Sequence, residues 1–155
     1  MALITDPFHS GIVVADVEEA MAEISASTGM TWHSLQSLDL SLLVDGEVVS
    51  TSVRFTYSVE GPVQLELADG PKGSFWDVEL YGGLNHLGYW AEDLHGDIAA
   101  LQSGGCELIY GGAAEGGGLE GFAFLVPPAA GMRIELIDVA MRPAFDRWFA
   151  GGEFG

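Results

Sequence analysis

Hydrophobic and polar positions change period along this chain in a fixed order, and the order occurs twice. His9-Ser10-Gly11-Ile12-Val13-Val14 runs into β-branched residues and predicts a strand. Val17, Ala20, Met21 and Ile24 then fall at helical spacing and predict a helix over 17–28. Asp16 and Glu19 have capping-box spacing at its start, and Gly29 supplies a stop. Residues 31–44 and 48–58 predict two strands, joined by the hairpin signal Asp45-Gly46. Glu60-Gly61-Pro62 breaks the pattern before a strand over 63–68. The second half repeats this order. Asn85-His86-Leu87-Gly88 opens a strand, and Asp93 caps a helix over 94–103 carrying Leu94, Ile98 and Leu101. Gly104-Gly105 ends that helix, and strands follow over 106–110, 121–126 and 132–137. A glycine-rich loop, 111–118, lies between the first two, and Pro127-Pro128 precedes the third. After the last strand, Pro143 suits a first helical turn, and Ala144, Phe145, Trp148 and Phe149 form an apolar stripe that predicts a lid packed on the sheet.

The expected fold is therefore α+β: two tandem βαβββ modules forming a curved, mostly antiparallel mixed sheet around a central cavity. Module one spans 6–69, a linker 70–83, module two 84–138, and a C-terminal helix 139–151, all within one domain over 1–155. The repeat is internal to the sequence. His9 aligns with His86 at an offset of 77, with Gly11 on Gly88 and Asp16 on Asp93. Later in each copy the offset is 69, which places Phe55 on Phe124, Glu66 on Glu135 and Asp69 on Asp138. The change between offsets corresponds to a shorter stretch between helix and last strand in the second copy.

One His and one Glu thus occupy matching places in each half. Successive side chains on a strand face opposite ways, so each module can aim its first-strand His and last-strand Glu inward. His9, Glu66, His86 and Glu135 then converge as a four-ligand metal site. Two imidazoles with two carboxylates suit a first-row divalent ion such as Zn, Ni, Co, Mn or Fe(II), and disfavour Ca and Mg. His33 and His95 have no partner in the repeat and read as surface or pocket-wall residues. Cys106 reads as a small apolar strand residue. Gly116-Gly117-Gly118 lacks the lysine and following helix of a phosphate loop and reads as a mobile loop near the site. Trp32, Tyr57, Phe75, Trp76, Tyr89, Trp90, Phe122 and Phe124 are candidates to line the cavity, with at most one of Tyr89 and Trp90 facing the metal.

Composition narrows the partners. The chain carries 23 acidic and 5 basic residues, a net charge of -18, which repels phosphate backbones and argues against nucleic acid. Arg54, Lys72, Arg133, Arg142 and Arg147 are the only fixed cations, so a neutral or hydrophobic small-molecule substrate is expected. No apolar run reaches the ~18 residues of a membrane span. Residues 1–6 are too short and polar for a signal peptide, and a single cysteine excludes an intramolecular disulfide. A cytoplasmic location is expected.

Phe8-His9-Ser10-Gly11-Ile12-Val13-Val14, Leu65-Glu66-Leu67, Asn85-His86-Leu87-Gly88 and Ile134-Glu135-Leu136, in this order, resemble the vicinal oxygen chelate superfamily. It includes glyoxalase I, methylmalonyl-CoA epimerase, extradiol dioxygenases and bleomycin-binding proteins. The resemblance covers roughly residues 8–138 and implies a metal-dependent glyoxalase-like isomerase, epimerase or lyase acting on a small carbonyl-containing substrate through an enolate-like intermediate. Glu66 makes the ligand set look like that of glyoxalase I. The run 8–14 and the segment around Glu47 look more like the epimerase, where a Glu near this position acts as a base. The resemblance thus implies Glu135 as first choice of base, with Glu66 and Glu47 as further catalytic candidates, and a homodimer. A small-molecule binding or resistance protein on the same scaffold is the alternative. An extradiol-type dioxygenase is third, because four protein ligands leave fewer open positions for substrate and oxygen.

Overall fold

A computed structural model describes residues 4–155, so Met1, Ala2 and Leu3, on which part of the N-terminal reading rests, lie outside the described residues. Module one comprises β1 (His9–Val13), α1 (Val17–Thr28), β2 (Gln36–Val44), β3 (Glu47–Tyr57) and β4 (Gln64–Asp69). Module two comprises β5 (Gly83–Ala91), α3 (Leu94–Ser103), β6 (Glu107–Ala113), β7 (Leu119–Val126) and β8 (Arg133–Asp138). Between them lies a single helical turn, α2 (Val78–Tyr81), within the segment read as linker. A 3₁₀ turn (Val139–Met141) leads into α4 (Arg142–Phe149), with Pro143 in its first turn. The α+β class and the twofold βαβββ order are those expected from the sequence. Among the described residues no helix is long and apolar enough to cross a membrane.

The eight strands close into a barrel in the order β1-β4-β3-β2-β6-β7-β8-β5. Within each module the first and last strands run parallel, β1 with β4 and β5 with β8, and the other pairs are antiparallel. The modules meet twice: along β1 and β5, and through two residue pairs between β2 and β6, Leu42 with Gly112 and Leu43 with Gly111. This second seam turns the expected curved sheet into a closed one. It also corrects the glycine-rich segment: Gly111 and Gly112 belong to β6, where a Cβ would run into the carbonyl oxygens of Phe122 and Glu120 on β7. The remaining loop, 114–118, is a short hairpin closed by Ala114 and Gly118.

Two apolar clusters follow from strand alternation. Inside the barrel, Val13, Leu42, Val53, Phe55, Tyr57, Ala68, Tyr110, Phe124 and Ile137 pack together with Phe145 and Trp148 of α4. Outside, Leu94 and Ile98 of α3 pack on Ala123, Leu125 and Leu136. The C-terminal helix thus enters the barrel mouth, with Trp148 Nε1 donating to the Ser34 carbonyl at 2.9 Å.

The start of α1 is tied to the barrel by one carboxylate. Asp69, at the end of β4, accepts from the buried Val17 amide at 2.7 Å and from Arg54 Nε at 2.9 Å. Asp69→Ala would leave that amide buried without a partner, and a loss of about 2–3 kcal/mol is expected in urea unfolding, with metal affinity unchanged. A change below about 0.5 kcal/mol would show that water replaces the carboxylate.

Candidate metal centre

The antiparallel pairing of β1 with β5 sets His9 opposite Gly88 and Gly11 opposite His86. The sequence His-x-Gly, present once in each module, is a reciprocal device: each glycine vacates the space that the other module's imidazole fills. A Cβ built on Gly88 would fall within the His9 ring, and one on Gly11 within the His86 ring. Both rings are buried, His9 at 0% and His86 at 2% exposure. Glu66 and Glu135 stand on the adjoining parallel strands, in register with Gly11 and Gly88 respectively.

Four side chains therefore converge within one chain, with His9, Glu66, His86 and Glu135 each offering a donor atom within 4.8 Å of the others. The Nε2 atoms of His9 and His86 are 3.0 Å apart. Glu135 Oε2 lies 2.9 Å from His9 Nε2 and 3.0 Å from His86 Nε2. Glu66 Oε1 lies 3.1 Å from His86 Nε2 and 3.9 Å from His9 Nε2. Asn85 faces the other nitrogen of His86, with Oδ1 at 2.9 Å from Nδ1; an amide oxygen only accepts, so Nδ1 is the donor there and Nε2 is the nitrogen that faces the cluster. His9 Nδ1 is buried without a partner, and its ring is held by packing on Phe8 at 4.5 Å and Tyr57 at 4.9 Å.

The protons in this cluster report its charge. Burial pulls the His86 pKa down, but the Glu135 charge and hydrogen bonds to both carboxylates outweigh it and lift the value to about 9. Burial favours neutral Glu135, yet His86 and the bonds from both imidazoles depress its pKa to about 2. Protons thus offset the paired carboxylates when no cation does. A divalent cation offers the same compensation to the same Nε2 and carboxylate atoms. Separations near 3 Å suit adjacent donors around one ion at bonds of about 2.1 Å.

Above the cluster is a cavity of about 90 Å³, lined by Glu66 and Glu135 and otherwise almost wholly by apolar and aromatic groups. Of the aromatic candidates, Tyr57, Trp76, Phe122 and Phe124 line it, whereas Trp32, Phe75, Tyr89 and Trp90 do not. Phe145 of α4 also lines it, as does Phe154 of the tail, which sequence patterning did not reveal. The helix is both lid and pocket wall. Ordinary ligand pockets hold roughly 300–1,000 Å³, so a larger ligand requires the lining to move.

Glu47 does not join the cluster. It opens β3 beside the hairpin turn, exposed, and does not line the cavity. His33 stacks on Phe149 at 4.4 Å, outside the cavity lining, and neither His95 nor the 114–118 hairpin reaches the site. Asn85, missed in the sequence, was signalled only by its place beside His86.

The model of the Glyoxalase/Bleomycin resistance protein/Dioxygenase superfamily matches residues 8–124. Among solved structures, a hypothetical protein from Bacillus halodurans C-125 is similar at 18% identity and a TM-score of 0.62, covering 86% of this chain and 93% of its own. A methylmalonyl-CoA epimerase from Mycobacterium tuberculosis is similar at 23% identity and 0.61, covering 88% and 89%. A variant of the Streptomyces coelicolor methylmalonyl-CoA epimerase, in complex with 2-nitronate-propionyl-CoA, is similar at 19% identity and 0.60, covering 88% and 98%. No curated protein sequence matches the chain.

Proposed function

The chain belongs to the glyoxalase/bleomycin resistance protein/dioxygenase superfamily, and on that premise we propose that it is a divalent-metal-dependent isomerase, epimerase or lyase that moves a proton beside the carbonyl of a small, neutral, apolar substrate. The observation that carries this reading is the buried convergence of His9, Glu66, His86 and Glu135, one His and one Glu from each module. Two imidazoles and two carboxylates fit a first-row divalent ion in softness and charge. Bound there, a Zn, Ni, Co, Mn or Fe(II) ion would supply Lewis-acid polarisation of a carbonyl oxygen. Fold likeness to methylmalonyl-CoA epimerases agrees with an isomerase-type activity.

In this reading the chain's own groups do the rest. Glu135, a residue of the cavity lining, takes the proton from the α-carbon. Glu66, from the other module, also lines the cavity and returns the proton. The apolar wall of Leu38, Leu40, Val53 and Ile137 excludes water, which strengthens each electrostatic interaction with charge developing on the substrate oxygen. No lysine or arginine lines the cavity, so the reacting part of the substrate is uncharged. The net charge of -18 supports a partner other than nucleic acid.

Metal analysis of the purified protein tests the centre: about one equivalent of divalent ion per chain is expected. Carbonyl compounds incubated with the loaded protein in D2O should gain deuterium at the α-carbon. Stoichiometric metal without exchange across a panel of small aldehydes, ketones and thioesters would overturn the proton-transfer chemistry. Absence of metal affinity would favour a small-molecule binding protein on this scaffold.

A further inference from the structure

The cavity beside Glu66 and Glu135 holds about 90 Å³, less than the roughly 150 Å³ in which a buried apolar site holds a benzene ring. One ring in its wall belongs to neither a strand nor a helix. Phe154 follows the end of α4, half-buried, between the exposed Glu153 and Gly155. Its ring meets Phe55 at 5.6 Å, Phe145 at 4.9 Å and Trp148 at 5.6 Å, with interplanar angles of 84°, 90° and 82°. All three are edge-to-face contacts, in which the positive rim of one ring meets the negative face of another. Phe55, Phe145 and Trp148 therefore form a three-sided box fitted to a phenyl group.

The box is firm, and its occupant is loosely held. Phe55, Phe145 and Trp148 are buried in the core, and Trp148 is anchored on Ser34. At the end of α4, Gly151 and Gly152 donate to the Trp148 and Arg147 carbonyls at 2.9 and 2.8 Å, and Gly151 has a φ of 94°. Past this glycine pair the tail is held by the Phe154 ring and by an exposed hydrogen bond, from Arg147 Nη2 to the Gly155 carbonyl at 2.8 Å. A solvent-facing bond of this kind exchanges for water at little cost. Rotation of the backbone past Gly152 withdraws Phe154 and leaves the strands and α4 in place.

We propose that Phe154 is a displaceable plug standing where the substrate's own ring goes, and that the substrate is a monocyclic aryl carbonyl compound. The inference rests on the proton-transfer reading of the cavity and names its substrate class. An incoming phenyl group inherits the three edge-to-face contacts and brings its carbonyl into the cavity that Glu66 and Glu135 line. An aliphatic group regains only the burial.

Fluorine NMR of the full chain carrying 4-fluorophenylalanine at Phe154 tests it, with acetophenone as probe and cyclohexyl methyl ketone as its non-aromatic match. In the ligand-free protein the three surrounding rings should shift the fluorine resonance away from its position in urea. Acetophenone should move it back towards that position, and cyclohexyl methyl ketone should need about ten times the concentration. A plug seated about nine-tenths of the time lowers apparent affinity about tenfold, so Phe154→Ala should bind acetophenone about tenfold more tightly in calorimetry. A resonance unmoved by acetophenone, an equal response to both ketones, or no gain of affinity in Phe154→Ala would overturn the proposal. Deuterium exchange keeps the two readings apart. Exchange into aliphatic ketones alone overturns the aryl assignment and leaves proton transfer standing. Plug release by acetophenone without exchange into any carbonyl compound supports the plug and overturns proton transfer.

Discussion

Gly88→Ala is expected to bind divalent metal at least about 100-fold more weakly than the wild type while remaining folded. The added methyl falls on the His9 ring, which is 0% exposed and packed against Phe8 and Tyr57. Overpacking of this kind costs about 1–3 kcal/mol, within what a small domain tolerates. The ring must therefore turn, and Nε2 leaves the cluster. Gly11→Ala should do the same to His86 and break its contact with Asn85. Calorimetric zinc titration with thermal melts checks both. A second change separates packing from ligation: His9→Ala in the Gly88→Ala background removes the clashing ring, so stability should recover while affinity does not. Near-wild-type affinity in Gly88→Ala would mean that the reciprocal glycines do not govern the site.

The two glycines also show what could be read in the sequence. His-x-Gly recurs at the offset of 77, and the last-strand Glu recurs at 69, so the four candidates for the cluster stood out as a set. The pattern gives which face a side chain takes, because alternation is local to the strand. It does not give which strands become neighbours, and the reason for the glycines appears only when β1 lies antiparallel to β5. Barrel closure was hidden for the same cause: Gly111 and Gly112 carry loop composition but are needed in β6 for close approach to β7. Phe154 follows a glycine pair without periodicity, so nothing local ties it to the cavity it lines. Glu47 sits next to a strong turn signal, and that turn leaves it at an exposed hairpin end, outside the cavity lining.

Metal-free protein should lose stability as pH rises from about 6.5 to about 9, and metal should restore it most at the alkaline end. The folded His86 pKa of about 9 lies above the ordinary value of 6.5, so its charged form is favoured by the fold. That contribution is complete below about pH 6.5 and disappears as pH rises through about 9. The shift corresponds to about 3 kcal/mol, arising from the same Glu135 interaction that depresses the carboxyl. The Glu135 pKa of about 2 lies below the ordinary 4.5, so its contribution is present above about pH 4.5 and is lost as pH falls through about 2. The cluster therefore supports the metal-free fold best between about pH 4.5 and 6.5. Metal needs the lone pair that the His86 proton occupies, so zinc affinity should climb about tenfold per pH unit until about pH 9. Melting of chelator-treated and zinc-loaded protein across this range checks the prediction. The gap between the two curves should widen steadily above about pH 6.5. A constant gap would show that His86 carries no proton in the metal-free protein and that the carboxylates find their compensating charge elsewhere.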